Sequence, residues 1–140
     1  MSRSREKDLE RLYHLYKKAG YPDKLYQFYQ QVGRDFILSS RIDIFIARSL
    51  IDLKRYNEAR RILIDLNQEE PVAEAYYWLA RIAKIEKDWD GMELAIQKAT
   101  VFDSKNSHYH LIFSQVLKRL NKLDRAEKEA GLAIKYKAQR

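Results

Sequence analysis

The chain repeats itself, and the period of the repeat limits the folds open to it more than any other feature of the sequence. The segment Ala47-Arg48-Ser49-Leu50 returns as Ala80-Arg81-Ile82-Ala83 and again as Ser114-Gln115-Val116-Leu117. Corresponding residues lie 33 positions apart in the first step and 34 in the second. A period of this length is typical of stacked helical hairpins, so we expect an extended binding surface rather than a closed catalytic pocket.

Hydrophobic periodicity divides the chain into eight helical segments that form four pairs. These segments are predicted at residues 5–18, 22–33, 37–53, 56–66, 72–86, 89–101, 107–119 and 122–137. Residues that break helices separate them at Gly20-Tyr21-Pro22, Gly33, Pro71 and Asp103-Ser104. Asn57, Asp88 and Asn121 stand near the short turns inside the hairpins and are predicted to cap the second helices. Turns this short make the paired helices antiparallel.

The composition agrees with an all-helical chain. Its 140 residues include only four Gly and two Pro, while 46% are hydrophobic and 34% are charged. The absence of Cys excludes disulfides and thiolate metal sites. The first ten residues lack the apolar run of a signal peptide, and no window reaches the roughly 18 apolar residues of a membrane span. We therefore expect a cytoplasmic protein that does not insert into a membrane, either complete or part of a larger protein.

Positive charge is concentrated near the end of the sequence. The net charge is +7, and the stretch from Lys105 to Arg140 holds nine Lys or Arg against three Asp or Glu. A basic surface attracts acidic partners or nucleic acid over long range. The alternative is a solvated outer face on a terminal repeat. In agreement with that alternative, the small residues Ala126, Ala130 and Ala133 of the last helix are surrounded by Lys122, Arg125, Lys128, Glu129 and Lys135.

The repeated positions resemble the tetratricopeptide repeat, a 34-residue helix–turn–helix family. The residues that fill its pattern in the third repeat are Tyr76, Leu79, Ala80, Ala83, Met92, Ile96 and Ala99. Those in the second and fourth are Ile46, Ala47, Leu50, Ala59, Leu63, Pro71, Phe113, Ser114, Leu117, Ala126, Ala130 and Ala133. The resemblance implies a right-handed α-solenoid of four antiparallel hairpins, within one domain over residues 1–140. The repeats are expected at about 6–39, 40–72, 73–106 and 107–140.

Some residues depart from the family pattern. Asp43 and His110 stand where an aromatic residue is common, while Tyr13 and Leu25 occupy positions that are usually small. Bulk at the last two positions predicts a splayed first hairpin or a shifted register. The first repeat is also rich in rings at Tyr13, Tyr16, Tyr26, Phe28 and Tyr29. Such rings form either a hairpin core or a contact surface for a protein.

The resemblance also implies a site, because the first helices of successive repeats line a concave groove in this family. One set of equivalent positions holds His14, Arg48, Arg81 and Gln115, and another holds Arg11, Phe45, Trp78 and Ile112. Tyr77, Lys84 and Lys118 extend the same face. Arg can hold a carboxylate by two hydrogen bonds, and aromatic rings supply contact area at low entropic cost. These residues predict a non-catalytic scaffold or adaptor that binds an acidic and apolar peptide or protein segment.

Two alternatives to this hypothesis stay open. Arg48 and Arg81 could instead pair with nearby carboxylates such as Asp52 and Glu74, with Phe45 and Trp78 only packing between helices. A helical-repeat module that binds RNA through its basic surface is the alternative from another class. The hypothesis that the chain binds a chaperone tail is weakened, because the K-x3-N spacing that some family members use is absent and the K-x3-R spacing occurs only once.

Signals for catalysis are poor in this sequence. His108 and His110 fall on different sides of one predicted helix, whereas helical metal sites favour a spacing near four residues. Ser114 has no organised acid partner, and the four Gly residues form no phosphate-binding loop. We expect no enzyme activity, no metal and no cofactor.

Overall fold

The computed structural model describes residues 40–139 and a subset of the first 39 residues, all of the latter being helical. That subset consists of Lys7, Asp8, Arg11, Leu12, His14, Leu15, Lys18, Asp23, Lys24, Tyr26, Gln27 and Gln30. The predicted breakers Gly20, Pro22 and Gly33 lie outside the described residues, as do the rings of Tyr13, Tyr16, Phe28 and Tyr29 and the bulky residue Leu25.

Every regular element in residues 40–139 is an α-helix, which agrees with the predicted fold class. The six helices are α1 (Ser40–Asp52), α2 (Tyr56–Glu69), α3 (Ala73–Ile85), α4 (Trp89–Phe102), α5 (Ser107–Arg119) and α6 (Leu123–Ala138). Their ends fall within about three residues of the predicted ones. The chain divides into two compact units, a first unit over Met1–Glu69 and a second unit over Glu70–Arg140.

In the first unit, α1 packs against α2. The apolar sequence of α1 becomes an almost continuous buried surface that includes Ile42, Ile44, Ile46 and Leu50. Leu63 of α2 is fully buried. Burying such aliphatic side chains contributes about 1.5 to 3 kcal/mol each.

Arg55, between α1 and α2, ties part of the first 39 residues to this pair. Its guanidinium bonds to Asp23 and to Glu58, and it lies 5.0 Å from the ring centre of Tyr26. The bond to Glu58 is the main cause of the raised pKa of Arg55 and of the lowered pKa of Glu58. Burial, followed by the nearby Glu58 carboxylate, raises the pKa of Tyr26.

In the second unit, α3 pairs with α4, α5 pairs with α6, and α4 packs on α5. Ala80, Ala99 and Ala126 are fully or almost fully buried in the core of this unit, where small side chains allow helices to approach closely. Ser114 occupies one of these small positions, and its hydroxyl donates to the backbone oxygen of Ala126 over 2.8 Å. Larger side chains such as Ile96 fill the space beside these close approaches.

The same turn closes all three described hairpins. Lys54, Lys87 and Asn121 adopt the left-handed conformation, with φ of 61°, 59° and 60°. The amide after each of these residues donates to a carbonyl oxygen five positions back, in every case over 2.8 Å. This is the Schellman ending, in which glycine is the usual left-handed residue. The repeat of the sequence is therefore also a repeat of backbone geometry.

The predicted caps are partly wrong. Asp88 does cap α4, because its side chain accepts from Gly91 N over 3.0 Å. Asn57 instead lies inside α2 and accepts from Arg60, and Asn121 is the left-handed residue that ends the turn after α5. A helix cap that was not predicted is Asn106, whose side chain accepts from Tyr109 N at the start of α5. Position near a turn does not by itself distinguish a cap from a turn residue.

His110 stands where the repeat pattern commonly has an aromatic residue, and a polar network holds its imidazole there. The imidazole is 5% exposed, lies 2.6 Å from Glu129 through Nδ1 and donates from Nε2 to the Ser104 carbonyl oxygen over 2.7 Å. Its ring also lies 5.4 Å from that of Tyr136. Glu129, which the sequence placed in the polar outer face of the last helix, is therefore half-buried against His110. The network joins α5, α6 and the turn before α5.

Replacing Lys87 by Gly is expected to raise the free energy of unfolding by about 0.5 to 1 kcal/mol, because Gly adopts positive φ without a steric penalty. Lys128→Gly is the matched control, since Lys128 lies inside α6 and should cost about 1 kcal/mol there. Urea unfolding followed by circular dichroism measures both. Equal destabilisation by the two substitutions would contradict the account of the turn.

Replacing His110 by Ala is expected to lower the free energy of unfolding by about 3 kcal/mol, because it leaves the carboxylate of Glu129 buried without its partner. Glu127→Ala removes an exposed side chain of α6 two positions from Glu129 and should change stability by less than about 0.5 kcal/mol. The same urea titration compares them, and similar losses for both variants would show that the network contributes little.

Candidate functional site

The second unit holds seven of the predicted site residues on two helices. Tyr77, Trp78, Arg81 and Lys84 lie on α3, and Ile112, Gln115 and Lys118 lie on α5. The remaining predicted residues, Arg11, His14, Phe45 and Arg48, belong to the first unit.

A first depression, named here the Tyr77 depression, has a volume of about 110 Å³. Its lining residues are Tyr77, Ala80, Arg81, Lys84, Met92, His108, Ile112 and Gln115. The Tyr77 ring lies 5.4 Å from Tyr109, 5.6 Å from His108 and 5.0 Å from Trp78, measured between ring centres. The contacts with Tyr109 and His108 connect α3 to α5, and the Tyr77 and His108 rings form part of the wall of the depression.

Arg81 lies against rings in this depression. Its guanidinium is 5.9 Å from the ring centre of Tyr77 and 5.7 Å from that of Trp78, and Nη1 donates to the Tyr77 hydroxyl over 3.1 Å. Glu74, the alternative partner for Arg81, accepts instead from Trp78 Nε1 over 3.4 Å. Trp78 thus contacts Arg81 but does not line the depression.

A second depression, named here the Trp89 depression, adjoins the first and has a volume of about 400 Å³. It is lined by Lys84, Trp89, Met92, Gln115, Val116, Lys118 and Arg119. The Arg119 guanidinium lies 3.9 Å from the ring centre of Trp89. Lys84, Met92 and Gln115 line both depressions, so the two form one continuous surface.

The charge of this surface is positive. Arg81, Lys84, Lys118 and Arg119 line it, and among the described residues no Asp or Glu does. The neighbouring Lys122 is already balanced, since its ammonium contacts Glu93 over 2.6 Å. Cations that lie together on an apolar floor favour an anionic ligand.

Sequence reasoning missed part of this surface. Trp89 and Met92 come from the first turn of α4, His108 from the start of α5 and Arg119 from its end. The predicted site residues were taken only from the first helix of each repeat. The last of them is Lys118, one residue before Arg119. Trp89 and Met92 are spaced three apart beside the tight turn after α3, and that spacing was the available signal.

In the first unit, Phe45 is half-buried between two neighbours. The Arg41 guanidinium lies 5.6 Å from its ring centre, and the His14 ring lies 6.1 Å away. Arg48 is half-buried, while Arg11 and His14 are exposed. Of the predicted residues in this unit, the structure brings His14 and Phe45 together.

The His and Ser side chains considered for catalysis do not form a common site. His108 is exposed at the Tyr77 depression, and His110 is buried in the network with Glu129. The Ser114 hydroxyl donates a hydrogen bond to the Ala126 carbonyl oxygen. Among the residues that the structure describes, no group of three or more His, Cys, Asp or Glu side chains is placed to hold a metal ion. Across the same described residues, no helix combines the length and apolar character needed to cross a bilayer.

Comparison with solved structures shows the fold. A crystal structure of MamA aligns with 96% of this chain and 79% of its own, at 17% identity and a TM-score of 0.78. MamA MSR-1 C2 aligns with 89% of this chain and 72% of its own, at 12% identity and a TM-score of 0.70. Both are similar to this chain in fold, that of a helical repeat of the tetratricopeptide type. No protein-family model and no curated protein matches the sequence.

Tyr109, which stacks on the Tyr77 ring, is expected to ionise at a higher pH than an ordinary tyrosine. Burial, with a smaller effect of the Glu74 carboxylate, raises the pKa of its hydroxyl to about 12. A raised pKa means that the unfolded chain loses this proton first, so this contribution to stability is lost as the pH rises above about 10. Ultraviolet titration of the protein and of Tyr109→Phe tests this. Loss of a tyrosine that ionises near pH 10 would contradict it.

Proposed function

We propose that this protein is a non-catalytic interaction module that binds a protein segment with acidic and apolar residues. One observation carries the proposal. Four cationic side chains surround the Tyr77 and Trp89 depressions, no described carboxylate lines them, and Met92, Ile112 and Val116 provide the apolar part of the lining. An acidic segment would balance this charge, and an apolar side chain would cover the floor.

The shape favours a segment of polypeptide over a small metabolite. The two depressions adjoin along α3 and α5, and their cationic side chains are exposed rather than enclosed. Sites for small molecules usually bury most of the ligand in a closed cleft. Gln115, exposed between the depressions, offers an amide that can donate to and accept from a peptide backbone. The fold supports the proposal, because helical repeats of this kind present extended surfaces.

The proposal concerns the second unit. That Arg11, His14, Phe45 and Arg48 contribute to ligand binding stays a prediction. The role of scaffold or adaptor depends on which partner supplies the bound segment. RNA is the competing ligand, because Arg and aromatic side chains also suit a phosphate backbone and stacked bases.

Replacing Arg81 by Gln is expected to weaken binding to acidic peptides by about tenfold, since a charge-assisted pair contributes about 1.5 to 3 kcal/mol. Lys128→Gln removes the same charge from α6, away from both depressions, and should leave affinity within about twofold. An array of amidated peptides that contain Glu and Leu, followed by fluorescence anisotropy of the best binder, measures the difference.

A single-stranded RNA oligonucleotide is titrated in parallel at low and high salt. Counterion release makes RNA binding fall steeply with salt. Tight, salt-sensitive RNA binding without any peptide binding would overturn the proposal. If Arg81→Gln and Lys128→Gln change the affinity for the best peptide equally, that peptide does not bind at the two depressions.

A further inference from the structure

The surface of the second unit has a guanidinium on a ring at each end. Arg81 lies against Tyr77 and Trp78, and Arg119 lies 3.9 Å from the ring centre of Trp89. A guanidinium whose face covers a ring keeps N–H groups along its edge, and its rotation is restricted. Each edge can therefore hold a carboxylate through two parallel hydrogen bonds with less ordering cost than a free side chain.

Between the two guanidiniums the surface changes character. Met92, Ile112 and Val116, which are 3%, 8% and 1% exposed, form a narrow apolar floor there. The exposed side chains of Lys84 and Gln115 border this floor. A ligand that spans the whole surface would thus meet a guanidinium, then a narrow apolar floor beside Lys84 and Gln115, then a second guanidinium.

The distance between the two cations follows from the repeat. Arg81 corresponds to Gln115 in the next repeat, and Arg119 lies four residues after Gln115 on α5. Four residues rise about 6 Å along a helix. Because α3 and α5 meet through the Tyr77 and Tyr109 rings and not by close backbone packing, their separation is taken as about 10 Å, the upper end of the range for packed helices. The helical roots of the two side chains are therefore about 12 Å apart by this geometry.

We propose that the bound segment carries two acidic side chains four positions apart, with an apolar side chain midway between them. This deepens the proposed function and depends on it. An extended chain advances about 3.3 Å per residue, so four positions cover about 13 Å, close to the separation of the helical roots of the two Arg side chains. Alternate residues of an extended chain share one face, so the first, third and fifth residues all point toward the surface. The recognised pattern is acidic, any, apolar, any, acidic.

Two peptides of identical composition test the spacing. Both are short, amidated and fluorescently labelled; one has the core Glu-Gly-Leu-Gly-Glu and the other has Gly-Glu-Leu-Glu-Gly. Net charge and apolar content are equal, so only the separation of the acids differs. We expect the first peptide to bind at least about tenfold more tightly by fluorescence anisotropy at low salt, because only it reaches both guanidiniums.

Variants of the protein then assign the two contacts. Arg119→Gln should remove the preference for the first peptide, and Arg119→Lys should restore little of it, because an ammonium keeps the charge but lacks the planar edge. Trp89→Leu keeps the charge of Arg119 and removes the ring beneath it, so it should also reduce the preference. Lys128→Gln is the control and should leave the preference unchanged. Circular dichroism confirms that each variant is folded.

Peptides with a single Glu→Gln change complete the test. Loss of one Glu should make affinity insensitive to Arg81→Gln but still sensitive to Arg119→Gln, and loss of the other Glu should do the reverse. Equal affinity of the two original peptides would overturn the spacing while leaving the proposed function intact. If no acidic peptide binds, both the spacing and the proposed function are wrong.

Discussion

The left-handed turn that closes each hairpin is the constraint on which the rest of the described structure depends. Lys54, Lys87 and Asn121 share one conformation and one hydrogen-bonding pattern, although only one of them belongs to a residue type that tolerates positive φ well. The turn fixes how the second helix of a hairpin returns along the first. Small residues such as Ala80 and Ala126 then allow close approach, and the pattern of buried positions repeats with the turn.

This geometry explains how separate helices come to share a binding surface. The turn after α3 brings Trp89 and Met92, at the start of α4, next to Lys84 near the end of α3. Packing of α4 on α5 then places Arg119 beside Trp89. The ring that holds the guanidinium and the guanidinium itself come from different hairpins. The surface is therefore a product of stacking within the second unit.

The sequence predicted most of the fold because its signals were local. Helical periodicity and the repeat period predicted α1 to α6 with small errors at their ends. Some features were missed. The positive φ of Asn121 is a local property, but its place near a turn did not distinguish a turn residue from a cap. The burial of Glu129 depends on a tertiary contact with His110. The predicted positions on α3 and α5 include six residues that line the two depressions: Tyr77, Arg81, Lys84, Ile112, Gln115 and Lys118. That they bind a ligand stays a prediction. The repeat could not predict Trp89, because that ring becomes part of the site only when Arg119 covers it.

The most direct measurement of the central claim is a nuclear magnetic resonance titration of the isotope-labelled full chain with the Glu-Gly-Leu-Gly-Glu peptide. If the surface of the second unit binds acidic and apolar segments, the largest shifts will fall on the Trp89 indole, the Met92 methyl group and the Gln115 side-chain amide. Resonances of the first unit will then change little. Saturable binding with its largest shifts on residues outside the two depressions would contradict the account.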